Sequence, residues 1–197
     1  MSDGALRAAR ERAAGLDPES AAAAVGAMYR GTGGQGEIEV AFLASSVTLT
    51  VPAFECRSSE TPLPSHVCAL LVYHLAISDG SRPAGRWISF AELPDGGFYA
   101  TAFRGYTGAV IARRFGADTG ALGEALAQVN AEPTEGMADR AWKVPALPRV
   151  PMALLWWDGD DEFEPRAELL FDATASHHLT TDGCAVLGSW LTATICR

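Results

Sequence analysis

The sequence lacks clustered positive charge, because Lys143 is its only lysine and no block of basic residues occurs. Its 197 residues carry 15 basic and 24 acidic side chains, which gives a formal net charge of -9. A surface that binds nucleic acid or anionic lipid needs grouped lysine and arginine side chains. We therefore expect neither a nucleic-acid partner nor a membrane partner. The preference for arginine, with much alanine and glycine, is typical of a GC-rich bacterial genome.

The sequence also lacks a CxxC pair. Its cysteines are Cys56, Cys68, Cys184 and Cys196, whereas a zinc ribbon or an Fe–S cluster would need closely spaced ligands. No metal site and no Fe–S motif are therefore predicted, and the cysteines are expected to be free thiols. No run of 18 apolar residues occurs, and the amino-terminal stretch has no apolar signal core. These features predict a cytoplasmic protein.

The composition predicts one globular α+β domain with a helical extension. Hydrophobic residues make up 48% of the chain, which is enough to build a core. Residues 1–36 are interpreted as a helical N-terminal extension, with helices over 4–14 and after Asp17 and a glycine-rich loop over 30–37. Residues 37–197 are interpreted as the α+β domain.

Apolar patterning predicts the elements of that domain. Apolar and polar residues alternate over 37–43 and again over 47–51, which indicates two strands joined as a hairpin. Residues 64–78 are apolar on all sides, which is typical of a helix buried in the core; Ser65 could cap it, and His74 inside it needs an internal partner or must stay neutral. Further predictions are strands over 87–90, 152–157 and 167–171, helices from 102, from 118 and over 182–196, and a proline-rich loop over 131–151. No βαβ repeat occurs, so we expect an antiparallel sheet packed around the 64–78 helix.

The segment 158–164 contains five carboxylates between two apolar strands. Asp158, Asp160 and Glu162 alternate as calcium ligands do, but Phe163 stands where a calcium loop needs glycine. An Asp-Gly turn with solvated charges explains the pattern well. A divalent-metal site and a pair of catalytic carboxylates remain the alternatives.

Adjacent histidines occur in the segment "FDATASHHL". Neighbouring side chains usually diverge, so His177 and His178 are not expected to chelate one metal ion. Asp172 could orient either imidazole, which would make that histidine a general base or an axial ligand of a metallo-cofactor. Ordinary surface or core histidines are the alternative.

Aromatic and arginine side chains cluster between residues 87 and 106. Most of them suit a core, but Tyr99, Arg104 and Tyr106 carry polar ends near the start of a helix, where an anionic ligand group is favoured. With Trp87, they are predicted to line a cofactor pocket. Core packing is the alternative for the whole cluster.

Three stretches carry a resemblance to a known family: "ALLVYHLA", "ISFAELPDGGFYATAF" and "PRVPMALLWWDGDDEFEPRAELLFDATASHHL". Over residues 64–195 the chain resembles a prokaryotic domain-of-unknown-function family, found alone or fused behind a corrinoid-protein-type Fe–S domain in anaerobes. The resemblance includes two characteristic motifs, Asp160-x-Glu162-Phe163 and Leu170-Phe171-Asp172. It therefore implies that Glu162 and Asp172 are the carboxylates most worth testing.

Two main functions are expected. The first is a domain that binds a small molecule or a tetrapyrrole-like metallo-cofactor, such as heme or a corrinoid. The alternative is a small cofactor-independent enzyme of secondary metabolism, with His178 or His177 and Asp172 or Glu162 as an acid–base pair. A noncatalytic protein partner in a redox complex is a third possibility.

Overall fold

The chain folds into seven α-helices and nine β-strands over the residues that the computed structural model describes, 3–58 and 62–197. The helices are α1 Asp3–Ala13, α2 Pro18–Val25, α3 Ser65–Ile77, α4 Ala100–Tyr106, α5 Gly108–Phe115, α6 Thr119–Ala127 and α7 Thr181–Ile195. The strands are β1 Met28–Thr32, β2 Gln35–Phe42, β3 Ser45–Val51, β4 Cys56–Ser58, β5 Trp87–Ser89, β6 Glu132–Thr134, β7 Arg140–Leu147, β8 Val150–Trp157 and β9 Arg166–Asp172. The predicted α+β class is confirmed.

The strands form two antiparallel sheets rather than the one that was predicted. The first has the order β1-β2-β3-β4, and the second has the order β5-β9-β8-β7-β6. A backbone hydrogen bond of 2.9 Å from Leu43 N–H to the Ala146 carbonyl joins the β2–β3 turn to β7. The inward residues of β2 and β3 alternate as predicted, so this hairpin buries one face.

Helix α3 lies in the core, in agreement with its uniformly apolar sequence. Eight of its 13 residues are buried, and it contacts α1, α2 and α7. The expected cap is wrong in detail, because Pro64 occupies the cap position and Ser65 is the first helical residue. No helix among the described residues has the length and hydrophobicity that a membrane crossing requires.

The loop expected over 30–37 is a hairpin instead. Strand β1 pairs with β2, and the chain reverses at Gly33 and Gly34, both of which have positive φ. Paired glycines in a two-residue turn favour a hairpin, a signal that the loop interpretation overlooked. The predicted helices α1 and α2 are present, and Asp17 caps α2 by accepting from Ser20 N–H at 2.9 Å. The proposed domain boundary at 36/37 stays a prediction, and residues 1 and 2 of the extension lie outside the described part.

The loop expected over 131–151 is also wrong, since it forms β6, β7 and the first residues of β8. Prolines are tolerated at sheet edges and bulges. Pro133 lies in the edge strand β6, and Pro145 falls within the register shift between Val144 and Leu147. Pro133 and Pro145 therefore lie at strand positions where a proline is tolerated.

The single helix expected from residue 102 is two helices. The chain leaves helical geometry at Thr107, whose hydroxyl donates to the Phe103 carbonyl at 2.6 Å. At the next position, a Cβ on Gly108 would overlap the Ala167 carbonyl oxygen. Helix α5 therefore starts directly against β9.

Candidate functional site

The loop after α3 and the loop after β9 meet at a polar junction formed by residues 78–86 and 172–178. Its anchor is Asp172, whose side chain is fully buried. The Oδ1 atom accepts from Ala84 N–H at 2.9 Å, and Oδ2 accepts from Gly85 N–H at 2.7 Å. Thr174 donates to Oδ1 from its amide at 3.0 Å and from its hydroxyl at 2.7 Å.

These four hydrogen bonds keep Asp172 ionised. Burial raises the pKa of the carboxyl, but the donors of Thr174, Ala84 and Gly85 together outweigh burial and leave the pKa lowered. Asp172 accepts two hydrogen bonds from Thr174 in its own loop and two from the loop after α3, and none from a histidine of the described residues. The geometry thus places Asp172 as a tether between two loops.

His178 is buried in the same junction. Its Nδ1 lies 2.6 Å from the hydroxyl of Ser78, which in turn lies 3.2 Å from the Ala24 carbonyl. Burial lowers the pKa of His178, while the charge of Asp79 opposes that shift. Within the described residues, Nε2 has no hydrogen-bond partner.

His74 packs beside His178, with ring centroids 6.0 Å apart. Its Nδ1 lies 3.1 Å from the His178 carbonyl, which can only accept, so Nδ1 carries the proton. Burial lowers the pKa of His74 to about 4. The imidazole is therefore neutral near pH 7 and also has an internal partner, so both of the alternatives expected for His74 apply.

His177 has a different environment, because its side chain is half exposed and bonded to a carboxylate. Asp79 Oδ2 lies 2.7 Å from His177 Nδ1. The pKa of Asp79 is lowered by hydrogen bonds from Ser81 and His177. A carboxylate at Nδ1 fixes the proton there and leaves Nε2 as the basic nitrogen. The Ser81 hydroxyl lies 3.3 Å from the same Nδ1, so the three side chains do not form a Ser-His-Asp relay.

Glu162 lies far from this junction. It is exposed in the 158–165 turn, where Asp160 accepts from the amides of Glu162 and Phe163 at 2.8 Å each. The turn adjoins Arg166 at one end of β9, and Asp172 is at the other end. Six strand steps separate those ends by about 20 Å. The structure thus does not bring Glu162 and Asp172 into one site, and the acidic segment forms a tight, solvated turn.

An aromatic groove borders the polar junction. It has a volume of about 850 Å³ and runs between α4 and the start of α7. Its lining residues are Ile77, Phe90, Pro94, Asp95, Phe98, Tyr99, Ala102, Tyr106, Ser176, Leu179, Thr180, Thr181, Asp182 and Ala185. Phe98, Tyr99 and Tyr106 are 91%, 67% and 40% exposed. Two predicted pocket residues, Tyr99 and Tyr106, thus share one surface.

The other two predicted pocket residues lie elsewhere. Trp87 lies in β5, where it pairs with Asp172, and Arg104 lines a separate cleft on α4. A cavity of about 480 Å³ adjoins the groove, shares Tyr106 and Ala185 with it, and is lined by His66. In the described part of the chain, no group of three or more His, Cys, Asp or Glu side chains is placed to hold a metal ion.

Sequence reasoning missed Asp79 and Phe98. Asp79 lies in a Ser-Asp-Gly turn, and nothing local connects it with a histidine 98 positions later. The residue type of Phe98 predicts a position in the core. In the structure Phe98 ends the short helix Gly96–Phe98, and its side chain is exposed. Of the three exposed aromatic residues that line the groove, sequence reasoning selected Tyr99 and Tyr106 but not Phe98.

A family model described as "Domain of unknown function (DUF3786)" matches residues 17–194. No curated protein and no solved structure matches the chain significantly. The match covers both sheets, the polar junction and the aromatic groove.

Proposed function

The chain belongs to the DUF3786 family, and we propose that it binds a small organic molecule in the aromatic groove. Membership confirms the predicted resemblance to a domain-of-unknown-function family, whereas the fused Fe–S context stays an expectation. The observation that carries the proposal is the exposure of Phe98, Tyr99 and Tyr106 along one concavity. Apolar surface left in water is unfavourable, so a concentrated patch of this kind usually marks an interaction site.

The groove has the size and chemistry of a small-molecule site. Its volume of about 850 Å³ falls in the range of about 300 to 1,000 Å³ that such sites occupy. Phe90, Phe98, Tyr99 and Tyr106 contribute aromatic rings to its lining, and Thr180, Thr181 and Asp182 contribute polar groups. This combination suits a planar, mainly apolar ligand that carries one or two hydrogen-bond donors.

A metal-centred tetrapyrrole fits the groove less well. Heme iron is held by an axial His, Cys, Met or Tyr side chain. Of the described residues, no His, Cys or Met lines the groove, and only Tyr99 and Tyr106 are of a ligating type. His178 is buried with Nδ1 on Ser78, while His177 Nδ1 is held by Asp79. We therefore propose an organic ligand held without metal coordination.

The proposal is tested with N-phenyl-1-naphthylamine, an uncharged aromatic dye that fluoresces in apolar surroundings. We expect saturable binding that the double variant Phe98→Ser/Tyr99→Ser weakens by about tenfold or more, because two ring contacts are lost. Phe163→Ser is the matched control, since Phe163 is 70% exposed but lies in the acidic turn. Equal dye affinity in the double variant and the wild type would remove the basis of the proposal.

A second function, acid–base catalysis, is supported by the contact between Asp79 and His177. A carboxylate at Nδ1 leaves Nε2 able to accept a proton from a substrate. Ser176, next to His177 in the chain, lines the aromatic groove. In this function the dyad of His177 and Asp79 replaces the predicted pairs that used Asp172 or Glu162.

Hydrolysis of 4-nitrophenyl acetate, an activated ester that imidazole bases attack, tests the second function. We expect His177→Ala and Asp79→Ala each to lower the protein-dependent rate by about tenfold or more. His66→Ala removes a histidine outside the dyad and should leave the rate unchanged. If the wild type is no faster than His177→Ala, the dyad does not act as a base.

A further inference from the structure

A second cavity, the arginine cleft, lies on the other side of α4 from the aromatic groove. Its volume is about 510 Å³, and its lining includes Arg104 of α4, Arg113 of α5 and Arg166 of β9. Three arginines from three different elements thus border one cavity. In a chain with a net charge of -9, such a concentration of guanidinium groups is unexpected.

Two of these guanidinium groups form no ion pair in the part of the chain that the structure describes. Arg104 and Arg113 are exposed, and neither forms an ion pair or a hydrogen bond within the described residues. Arg166 stacks on Trp157, with its Cζ atom 3.8 Å from the ring centroid. That contact orients Arg166 without neutralising it, because a cation over a ring keeps its charge.

Small residues make room beside the arginines. Gly105, Ala109 and Ala112 form one wall, and Gly108 allows α5 to lie directly on the Ala167 carbonyl. The side chains of Glu164 and Glu168 also line the cleft. The cavity therefore combines cationic donors for an anion with acceptors for hydroxyl groups.

We propose that the arginine cleft binds a phosphorylated small molecule. Guanidinium groups form paired hydrogen bonds with phosphate oxygens and hold that geometry better than lysine does. Arg104, Arg113 and Arg166 would hold the phosphate, while Glu164 and Glu168 would accept from hydroxyls on the rest of the ligand. The cleft lies apart from the aromatic groove, so this proposal does not depend on the proposed function.

Calorimetric titration with ribose 5-phosphate tests the inference, with ribose and citrate as comparison ligands. We expect ribose 5-phosphate to bind, ribose not to bind, and citrate to bind more weakly. Arg104→Gln and Arg113→Gln should each weaken ribose 5-phosphate binding by about tenfold or more, because each removes a charge-assisted contact. Binding should also weaken as the salt concentration rises.

Arg114→Gln is the matched control. It removes the same charge one residue away, but Arg114 lies over the Phe115 ring at 5.2 Å and does not line the cleft. We expect this variant to retain wild-type affinity. The proposal is overturned if ribose 5-phosphate fails to bind at millimolar concentration, if ribose or citrate binds as tightly, or if Arg114→Gln weakens binding as much as Arg113→Gln.

Discussion

Asp79 Oδ2 lies 2.7 Å from His177 Nδ1, although 98 residues separate the two in the chain. The contact exists because the tether at Asp172 holds the loop after α3 against the loop after β9. It is reinforced by a hydrogen bond of 3.3 Å from Asp79 N–H to the His177 carbonyl. The junction therefore presents an oriented imidazole at the surface beside the aromatic groove.

Removing the Asp79 carboxylate should change the tautomer of His177. In the wild type the neutral ring is expected to carry its proton on Nδ1, because Asp79 accepts from that nitrogen. In Asp79→Ala we expect Nε2 to carry it in a large fraction of molecules. Ring ¹⁵N chemical shifts measured above pH 8 distinguish the two forms. Asp161→Ala, in the solvated turn, should leave the shifts unchanged, and an unaltered tautomer in Asp79→Ala would contradict the assignment.

Replacing Asp172 with asparagine should destabilise the fold strongly. The new amide group would point a donor at the Gly85 or Ala84 amide, both of which need an acceptor. A buried donor left without a partner costs about 2–3 kcal/mol. Urea unfolding measures the loss, and Asp161→Asn, an exposed carboxamide substitution, serves as the control. A loss in Asp172→Asn no larger than in the control would mean that Asp172 is not a tether.

Stability should fall as the pH drops from about 6.5 towards 4. A histidine in the unfolded chain has a pKa of 6.5, whereas burial lowers the pKa of His74 in the folded chain to about 4. Between these values the unfolded chain binds a proton that the folded chain does not, so acid favours unfolding. The full effect, reached below pH 4, is about 3 kcal/mol. His178 contributes in the same direction, because burial lowers its pKa as well.

The free energy of unfolding at several pH values measures this dependence. We expect His74→Gln to reduce the slope of the unfolding free energy against pH between pH 6.5 and 4. The reduction should correspond to about one proton fewer taken up on unfolding. His66→Gln, which replaces a partly exposed histidine in the same helix, is measured alongside as the control. An identical slope in wild type and His74→Gln would show that His74 titrates normally.

Gly105, which lines the arginine cleft, and Gly108, three positions later, should respond in opposite ways to alanine. A Cβ at Gly108 would overlap the Ala167 carbonyl, whereas a Cβ at Gly105 meets nothing within 4 Å. We expect Gly108→Ala to lose about 1–3 kcal/mol through overpacking, and Gly105→Ala in α4 to be neutral or to gain up to about 1 kcal/mol. Thermal or urea unfolding measures both. Equal stability of the two variants would show that α5 does not lie directly on β9.

Local sequence patterns predicted those elements in which the order of apolar and polar residues is regular along the whole element. The period of two over β2 and β3, and the uniformly apolar α3, left few alternatives. The errors arose where composition outweighed geometry: Gly33 and Gly34 form a hairpin turn rather than a loop, and Pro145 falls at a bulge. Proline and glycine were interpreted as ends of regular structure. Whether such a residue lies at a turn, an edge or a bulge depends on the pairing with the neighbouring strand, which the local sequence does not specify.

The site was predicted in part for the same reason. Residue type pointed to His177 and Tyr106, because both have groups useful to a ligand. The partner of His177 depends on long-range folding, because Asp79 reaches it only where the Asp172 tether joins the two loops. No local signal specifies that contact. Tyr99 and Tyr106, in contrast, lie at the two ends of one helix, α4. The expected link between Glu162 and Asp172 failed because Asp172 is the last residue of β9, whereas Glu162 precedes the first.

Chemical-shift mapping with N-phenyl-1-naphthylamine tests the central claim most directly. Amide resonances of the ¹⁵N-labelled protein are followed during a titration with the uncharged dye. Ligand binding in the aromatic groove predicts saturable shifts concentrated at Phe98, Tyr99, Tyr106 and Thr181. Absent shifts, or shifts centred on residues 158–164 or spread evenly over the surface, would contradict it.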